Sequence, residues 1–573
     1  MIDAERILQE TYPNFKLGNH NKLAIKALKS LLHESDFNAV ISNNQHLRGF
    51  AFLDKLLHYF NFQYQVSNLS YNNIPSEGRL LIVANHPIGT LDGLALVKLI
   101  RSVRPDVRIV ANRVLSHMEP LKSIFLPVDV LSDKKALKDS YKAMLDALEN
   151  EEAVIMFPAG EVSRITPKGI RDGKWQNGFI KLAKKTHSPI LPIYIKAKNS
   201  AFFYSMSTLY KPLGTMLLVK EMFNKKNQEI KFKVGAPIPY IVIKASEQTN
   251  KQLSQRFRKH VLNLGKKHKT PLFDTVVSVA HPVDTKAVKK ALFQSRLLGE
   301  TRDGKKIFLY QFQDDCPVMQ EIARLRELTF RTVEEGTGLS LDLDKFDIYY
   351  SHIVLWDDHA LDIVGAYRIG EGPKIIHSHG IEGFYTHTLF DLHSDFTALL
   401  PYSLELGRSF VQPRYWGQHS LEYLWYGIGA YLREQPDIKY LFGPVSISNA
   451  YPPLAKELII GFYKQQFGSE LPTAKAKTPF VISEQSQYFA TQEFNSDYST
   501  SFKILNSELR KLGVKVPTLY KQYVELCVDK GCHFIDFNVD PDFNNCIDGL
   551  IMVEIDKIAP KKRQRYIETT LTH

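Results

Sequence analysis

The stretch LIVANHPIGTLDG, residues 81–93, decides how the first half of the chain is read. An apolar run delivers Asn85 and His86 into a loop that carries Gly89, and Asp92 stands six residues beyond the histidine. The run is short, rich in Leu, Ile and Val, and bounded by a glycine turn, the pattern of a buried strand. A glycine lets the chain turn back, so side chains six apart can meet. A histidine whose free nitrogen faces a hydroxyl or an amine acts as a general base; a carboxylate on its other nitrogen fixes the tautomer and stabilises the imidazolium. No Ser or Cys stands beside His86, which favours direct attack by a second substrate over a covalent enzyme intermediate. A plain polar loop would carry the same residue types, so the pair alone does not establish catalysis.

Working outward, GRLLIVAN reads as a strand, DGLALVKLIRSV as a helix and VRIVAN as a strand. AVIMFPAG at 153–160 is a second strand-to-loop junction, followed by the helix NGFIKLAKKT and the strands PILPIYIKA and IKFKVGAPI. Alternation of this kind indicates an α/β domain with parallel character, whose functional residues lie at the C-terminal ends of its strands. Upstream, LAIKALKSLL at 23–32 and FAFLDKLLHYF at 50–60 have helical spacing. The second has an aromatic face that either packs on the domain, the favoured reading, or lies on a membrane surface. Downstream, KQLSQRFRKHVLNLGKKHKTPL at 251–272 reads as a basic helix running into a linker. A further set follows: the helix around MQEIARLRELTFR, the strands IVLWD, DIVGAYRI, YSLELGRSFV and KYLFGPVSI, and the helix SLEYLWYGIGAYLRE. The division expected is a helical extension at 1–65, an α/β domain at 66–250, a basic helix and linker at 251–284, and a second α/β domain with a C-terminal extension at 285–573.

The 573 residues exceed one ordinary core, and 44% hydrophobic residues supply material for two. The formal charge of +12 suits an anionic membrane surface, an acidic carrier protein or nucleic acid. Nucleic acid is set aside, because no zinc-finger spacing or RNA-binding aromatic signature is found. The polar start MIDAERILQETYPNF argues against a secretory signal, and no apolar run approaches a membrane-spanning length. Cys316, Cys527, Cys532 and Cys546 match no common zinc spacing and read as buried thiols in a reducing cytoplasm; no metal is expected.

ANHPIGTLDG, FPAGEVSR at 157–164 and SPILPIYI at 188–195 together resemble the glycerolipid (lysophosphatidic acid type) acyltransferases, above all their hemolysin-named bacterial branch. The resemblance covers roughly residues 60–245. It implies that His86 deprotonates an acceptor hydroxyl and that Asp92 orients it. The family usually places four residues between the two; here there are five, which the proline–glycine loop must absorb. The family's glutamate between proline and glycine is replaced by Ala159, with Glu161 after the glycine. Gly89, Gly160, Glu161 and Arg164 remain as substrate-binding residues, the arginine offering a planar donor fork to a phosphate or polar headgroup. Arg113 and Lys122 stand where a middle motif would lie.

In the second half Arg326 and Phe330 are four apart, on one helix face. Asp342, Asp344 and Asp347 lie in LSLDLDKFD, Arg368 ends VGAYRI, and Glu405 and Arg408 lie in ELGRSFV. The acidic group lacks the features of a calcium loop and suits a cationic amine better. In a regular strand Glu405 and Arg408 would face opposite sides, so a bulge or a strand end is needed to bring both to one site. Arg326, Phe330, Asp342, Asp344, Arg368, Glu405 and Arg408 resemble the signature of the acyl-homoserine-lactone synthases and ornithine N-acyltransferases, within the GCN5-type N-acyltransferase fold. The resemblance implies amide formation on an amino acid, with Glu405 as base directly or through water, and Arg408 and Arg368 holding structure or polarising substrate. The pyrophosphate loop of coenzyme-A users is replaced by QPRYWGQHS, consistent with an acyl carrier protein thioester as donor and no tightly bound cofactor.

Joined, the halves resemble bifunctional bacterial aminolipid synthases. The implied order is N-acylation of an amino acid, ornithine favoured, by 3-hydroxyacyl carrier protein, and then O-acylation of the 3-hydroxyl of that lyso-aminolipid. The expected place is the cytoplasm, peripheral on the anionic inner face of the bacterial inner membrane. The alternative is a lysophospholipid acyltransferase whose C-terminal domain only binds carrier protein.

Overall fold

The computed structural model describes residues 33–112, 118–128, 134–167, 169–209, 211–267, 270–468, 474–528 and 530–569. The expected helix at 23–32 and Arg113 lie outside them. The chain divides between His281 and Pro282 into two compact units, so the basic segment from 251 falls within the first unit almost to its end.

The first unit contains β1 (Gln63–Gln65), β2 (Leu80–Ala84), β3 (Val107–Asn112), β4 (Phe125–Val128), β5 (Ala153–Met156), the hairpin β6 (Arg164–Thr166) and β7 (Gly169–Arg171), β8 (Ile190–Lys196) and β9 (Glu229–Val234). All but the hairpin form one sheet in the order β1-β9-β8-β2-β5-β3-β4. Every pairing in it is parallel except β8 with β9. Successive residues of β2 feed opposite faces, as a strand's period of two requires. Leu80, Ile82 and Ala84 join a core with the helices Gly49–Tyr59 and Thr90–Arg101. Leu81 and Val83 join one with the helices Lys134–Glu149, Gly178–Thr186 and Asn250–Leu264. Both faces are covered, which is why the strand is apolar throughout rather than alternating. Phe52, Leu53, Leu56 and Leu57 are buried, so the aromatic face of 50–60 packs on the sheet. The basic helix likewise buries Leu253, Phe257 and Val261.

In the second unit β10 (Arg296–Glu300), β11 (Lys306–Gln311), β12 (Ser351–Asp357) and β13 (Asp362–Glu371) run in order along an eight-stranded sheet. After the short β14 (Phe390–Leu392) come β15 (Ser403–Val411) and β16 (Tyr440–Ile447), with β17 (Ala474–Ala476) pairing back to β14. The last two strands, β18 (Cys532–Asp540) and β19 (Cys546–Glu554), complete the sheet beyond β16. The C-terminal extension is thus an integral part of the fold. The helices Pro317–Thr332 and Ser420–Glu434 cover opposite faces.

Every pairing in this sheet is antiparallel except β15 with β16, which pair only from Ser403–Tyr440 to Glu405–Phe442. Beyond that point β15 follows β13 and β16 follows β19, and the two separate. Gly443 stands at the divergence, where a side chain would meet the Leu406 carbonyl oxygen at 2.0 Å. On β15 an extra residue enters between Gly407 and Phe410, opposite Ala366–Arg368, and Arg408 has φ 47°. This is a β-bulge.

Candidate functional site

In the first unit β2 and β5 are parallel neighbours, so their C-terminal ends put the His86 loop beside Phe157–Gly160. The Asn85 side chain fixes the exit of β2: its Oδ1 accepts from Ile195 N at 2.7 Å and its Nδ2 donates to Ile195 O at 3.0 Å. Gly89, at φ 106°, turns the chain and caps the helix Thr90–Arg101. Asp92 is wholly buried; its Oδ2 accepts from Ile88 N at 2.9 Å and Gly89 N at 3.3 Å. Its other oxygen lies 2.9 Å from Nδ1 of His86. The five intervening residues therefore leave the pair in contact. The imidazole stacks on Phe157, centroids 4.0 Å apart. Burial opposes the imidazolium, but Asp92, by charge and hydrogen bond, and Asp172 outweigh it and raise the His86 pKa above its ordinary value.

Asp172 is a residue that the motif reading missed. It is buried, and its Oδ1 accepts from Ser163 Oγ at 2.5 Å and from the backbone N of His86 at 3.2 Å, while Oδ2 accepts from Trp175 Nε1 at 3.0 Å. Ser163 N donates to His86 O at 2.7 Å. Burial raises the Asp172 pKa against these donors. Arg258, in the basic helix, donates to the Asp172 carbonyl. The sequence signal was faint: one acidic residue beside the only tryptophan of this unit. Arg164 opens the β6 strand, 3.9 Å from Glu161 and over the Phe203 ring at 5.6 Å. Among the described residues its buried Nε and Nη1 have no hydrogen-bond partner. Gly160, at φ 69°, faces open space. Lys122 lies at the surface near Glu119.

In the second unit the charged signature assembles around Asp347, which the sequence reading named but left out of the signature. Its Oδ1 accepts from Arg326 Nη1 at 2.8 Å and Arg368 Nη1 at 3.2 Å, and all three are buried. Burial would raise its pKa, but the two guanidinium groups hold it far below the usual carboxylate range. His352 Nδ1 accepts from Arg326 at 3.2 Å; burial and that arginine push its pKa down to about 3. Asp344 caps the turn Lys345–Ile348 and accepts from Arg368 at 2.6 Å. Asp342, buried, lies 3.1 Å from Arg408 Nε. These pairs tie the 342–348 segment to β13 and β15.

The bulge brings Glu405 and Arg408 to the same residue. Tyr385 N donates to Glu405 Oε2 at 3.2 Å, and Arg408 Nη1 donates to Tyr385 Oη at 3.1 Å. Glu405 is held from several sides. Both its oxygens are already occupied, by Thr386 N at 2.6 Å, Thr386 Oγ1 at 2.5 Å, Tyr385 N and the Tyr350 hydroxyl. A carboxylate holding four donors anchors the 385–386 segment, and burial raises its pKa above the ordinary carboxylate value against those donors. Arg408 instead lines a pocket in the gap between the diverging β15 and β16, with Phe330, Tyr385, Ser446, Tyr523, Phe543 and Asp548. Phe330 meets Phe543 edge-on at 5.1 Å. All four cysteines are free thiols, and burial pushes Cys527 up to about 12.

The strand-end His–Asp pair of one unit and the parted parallel strand pair of the other belong to a transferase enzyme of the acyltransferase class, as its family matches show. Residues 6–267 match the acyltransferase family and residues 325–426 the GNAT acetyltransferase domain. The chain is 30% identical to the glycine N(alpha)-acyltransferase of Bacteroides thetaiotaomicron over 51% of its own length and 90% of that protein. It is 26% identical to the lyso-glycine lipid O-acyltransferase of Phocaeicola vulgatus, over 42% of this chain and 87% of that one. It is also 31% identical to the L-ornithine N(alpha)-acyltransferase of Brucella abortus, over 23% of this chain and 50% of that one. The chain belongs to the family of the glycine N(alpha)-acyltransferases, and it joins an acyltransferase domain to a GNAT domain.

Proposed function

We propose that this chain makes a diacylated aminolipid in two transfers. The second unit acylates the α-amine of an amino acid with a 3-hydroxyacyl group carried as an acyl carrier protein thioester. The first unit then acylates the 3-hydroxyl of that product. The observation that carries the reading is the union, in one chain, of the His86–Asp92 pair at the end of β2 with a pocket of mixed charge in the gap of a GNAT sheet. An alcohol is a weak nucleophile, and His86 removes its proton as the acyl carbon is attacked. Asp92 holds the imidazole through Nδ1, leaving Nε2 for the hydroxyl. Arg164 and Gly160 receive the polar headgroup. Glycine leads as the amino acid, because relatives named for glycine are covered over nearly their whole length, whereas the ornithine relative is covered over half. The absence of a pyrophosphate loop in QPRYWGQHS supports the carrier-protein donor. The +12 charge supports docking of that acidic carrier and of an anionic membrane surface.

The test combines purified protein with 3-hydroxyacyl carrier protein, a second acyl carrier protein and a panel of glycine, ornithine, serine and glutamine, the products being read by mass spectrometry. His86→Ala is expected to leave monoacylated amino acid to accumulate, with the second transfer slowed about 10²- to 10⁴-fold. Acylation of lysophosphatidic acid without any amide product would overturn the reading in favour of a lysophospholipid acyltransferase.

A further inference from the structure

Asp548 faces the second unit's pocket from β19, a strand outside both motif readings. It is 6% exposed. The one hydrogen-bond partner of its carboxyl among the described residues is the Cys546 thiol, a weak donor at 3.9 Å. A buried carboxyl that lines a cavity without a strong donor is otherwise costly, and such groups concentrate at functional sites. Across the sheet Ser446 of β16 stands opposite Asp548 and donates to Glu335 Oε2 at 3.1 Å. Arg408 lines the same pocket and supplies positive charge.

We propose that Asp548 is the base of the N-acylation: it receives the α-ammonium of the amino acid and takes its proton, while Arg408 faces the amino acid's carboxylate. This rests on the N-acyltransferase reading above and replaces Glu405 in the role that the motif assigned to it. The bound amino acid enters as a zwitterion. One ammonium proton passes to the Asp548 carboxylate, and the freed lone pair attacks the thioester carbonyl carbon. The C–N bond forms, the C–S bond breaks, and a second proton leaves nitrogen for the departing sulfur. Amide, thiol and one proton result, the last leaving Asp548 for solvent. Six groups bear on Asp548: Asp540 on β18, Glu335 after the helix Pro317–Thr332, Arg408 on β15, Cys546 on its own strand, Tyr385, and Tyr520 in the helix Thr518–Val524. Burial, then Asp540 and Glu335, raise the Asp548 pKa well above the ordinary carboxylate value against the pull of Arg408. Glu335 is itself pushed up to about 7 by burial. A carboxylate whose pKa is raised accepts a proton from an ammonium better than a free aspartate would.

The experiment measures kcat/KM for glycine from pH 5.5 to 9.5 in the full-length wild type, Asp548→Asn and Asp548→Glu, with thermal melting of each. Asp548→Asn is expected to melt at or above the wild-type temperature, because an amide of the same size replaces a buried acid. Its N-acylation should fall at least 100-fold and lose the wild-type acidic limb, and Asp548→Glu should restore part of the rate with that limb displaced. A folded Asp548→Asn protein that keeps its rate and its acidic limb overturns the proposal. So does a well-folded pair in which Glu recovers no more activity than Asn. Should the wild type form no amide with any amino acid, the N-acyltransferase reading fails instead, and the two failures are distinct.

Discussion

His86 owes its proton affinity to two carboxylates, and they act differently. Asp92 touches Nδ1, whereas Asp172 holds the His86 backbone and reaches the ring only by its field. In the proposed role of base His86 must be neutral to accept a proton, and its pKa is raised above the ordinary value of about 6.5. The rate of O-acylation should therefore climb with pH along a limb lying above that value. Removing the charge of Asp172 removes one of the influences that raise it, so Asp172→Asn should move the limb to lower pH. The pH profile of kcat/KM for a lyso-aminolipid acceptor reads this directly. An unmoved limb with a merely lower plateau would make Asp172 a loop anchor alone. The variant leaves Ser163 and Trp175 facing an amide that still offers one acceptor, so a modest loss of plateau rate is expected besides the shift.

At the scale of elements, the apolar strand, the glycine turn and the helix start around His86 were legible because each is a local signal. The strand's uniform burial, the positive φ of Gly89 and the capping carboxylate of Asp92 all lie within thirteen residues. Gly89→Ala tests that turn. An added Cβ would meet Leu218 and Val162 at 3.5 and 3.7 Å, ordinary contacts, so its cost comes from the backbone rather than from space. That cost is about 1–3 kcal/mol. It falls on the loop that donates Gly89 N to Asp92, so O-acylation should drop roughly tenfold or more by the same arithmetic, with N-acylation unchanged. Signals that need partners far along the chain were not legible. Asp172 reaches His86 across 86 positions, and Tyr385 links Glu405 to Arg408 from a separate segment. The need for a bulge between those two was readable from strand periodicity; its left-handed Arg408 was not. Asp347 was visible in LSLDLDKFD, but nothing local showed that it, rather than Asp342, would hold both Arg326 and Arg368. The strands β18 and β19 were not placed within the expected C-terminal extension, because the sheet partner of β19 is β16, which ends at Ile447, far before β19 begins at Cys546.

At the scale of the whole molecule, each unit has its own sheet and its own cores on both faces. Damage to one site should therefore leave the other unit folded and active. Arg408→Ala strips Asp342 and Asp344 of a buried cationic partner and should abolish N-acylation whether or not the second unit stays intact. His86→Ala should block only O-acylation. The product of the proposed first transfer is an amphipathic monoacyl lipid, which would partition into micelles or bilayers. Mixing the two inactive variants in detergent micelles with both donors and glycine should consequently restore the diacyl product. The yield should rise with the amount of the Arg408→Ala chain, which carries the intact first unit. Mass spectrometry of the mixture against each variant alone decides the point. If the mixture accumulates monoacyl glycine and never converts it, the intermediate must pass between the two sites of one polypeptide, and the fusion is itself part of the mechanism.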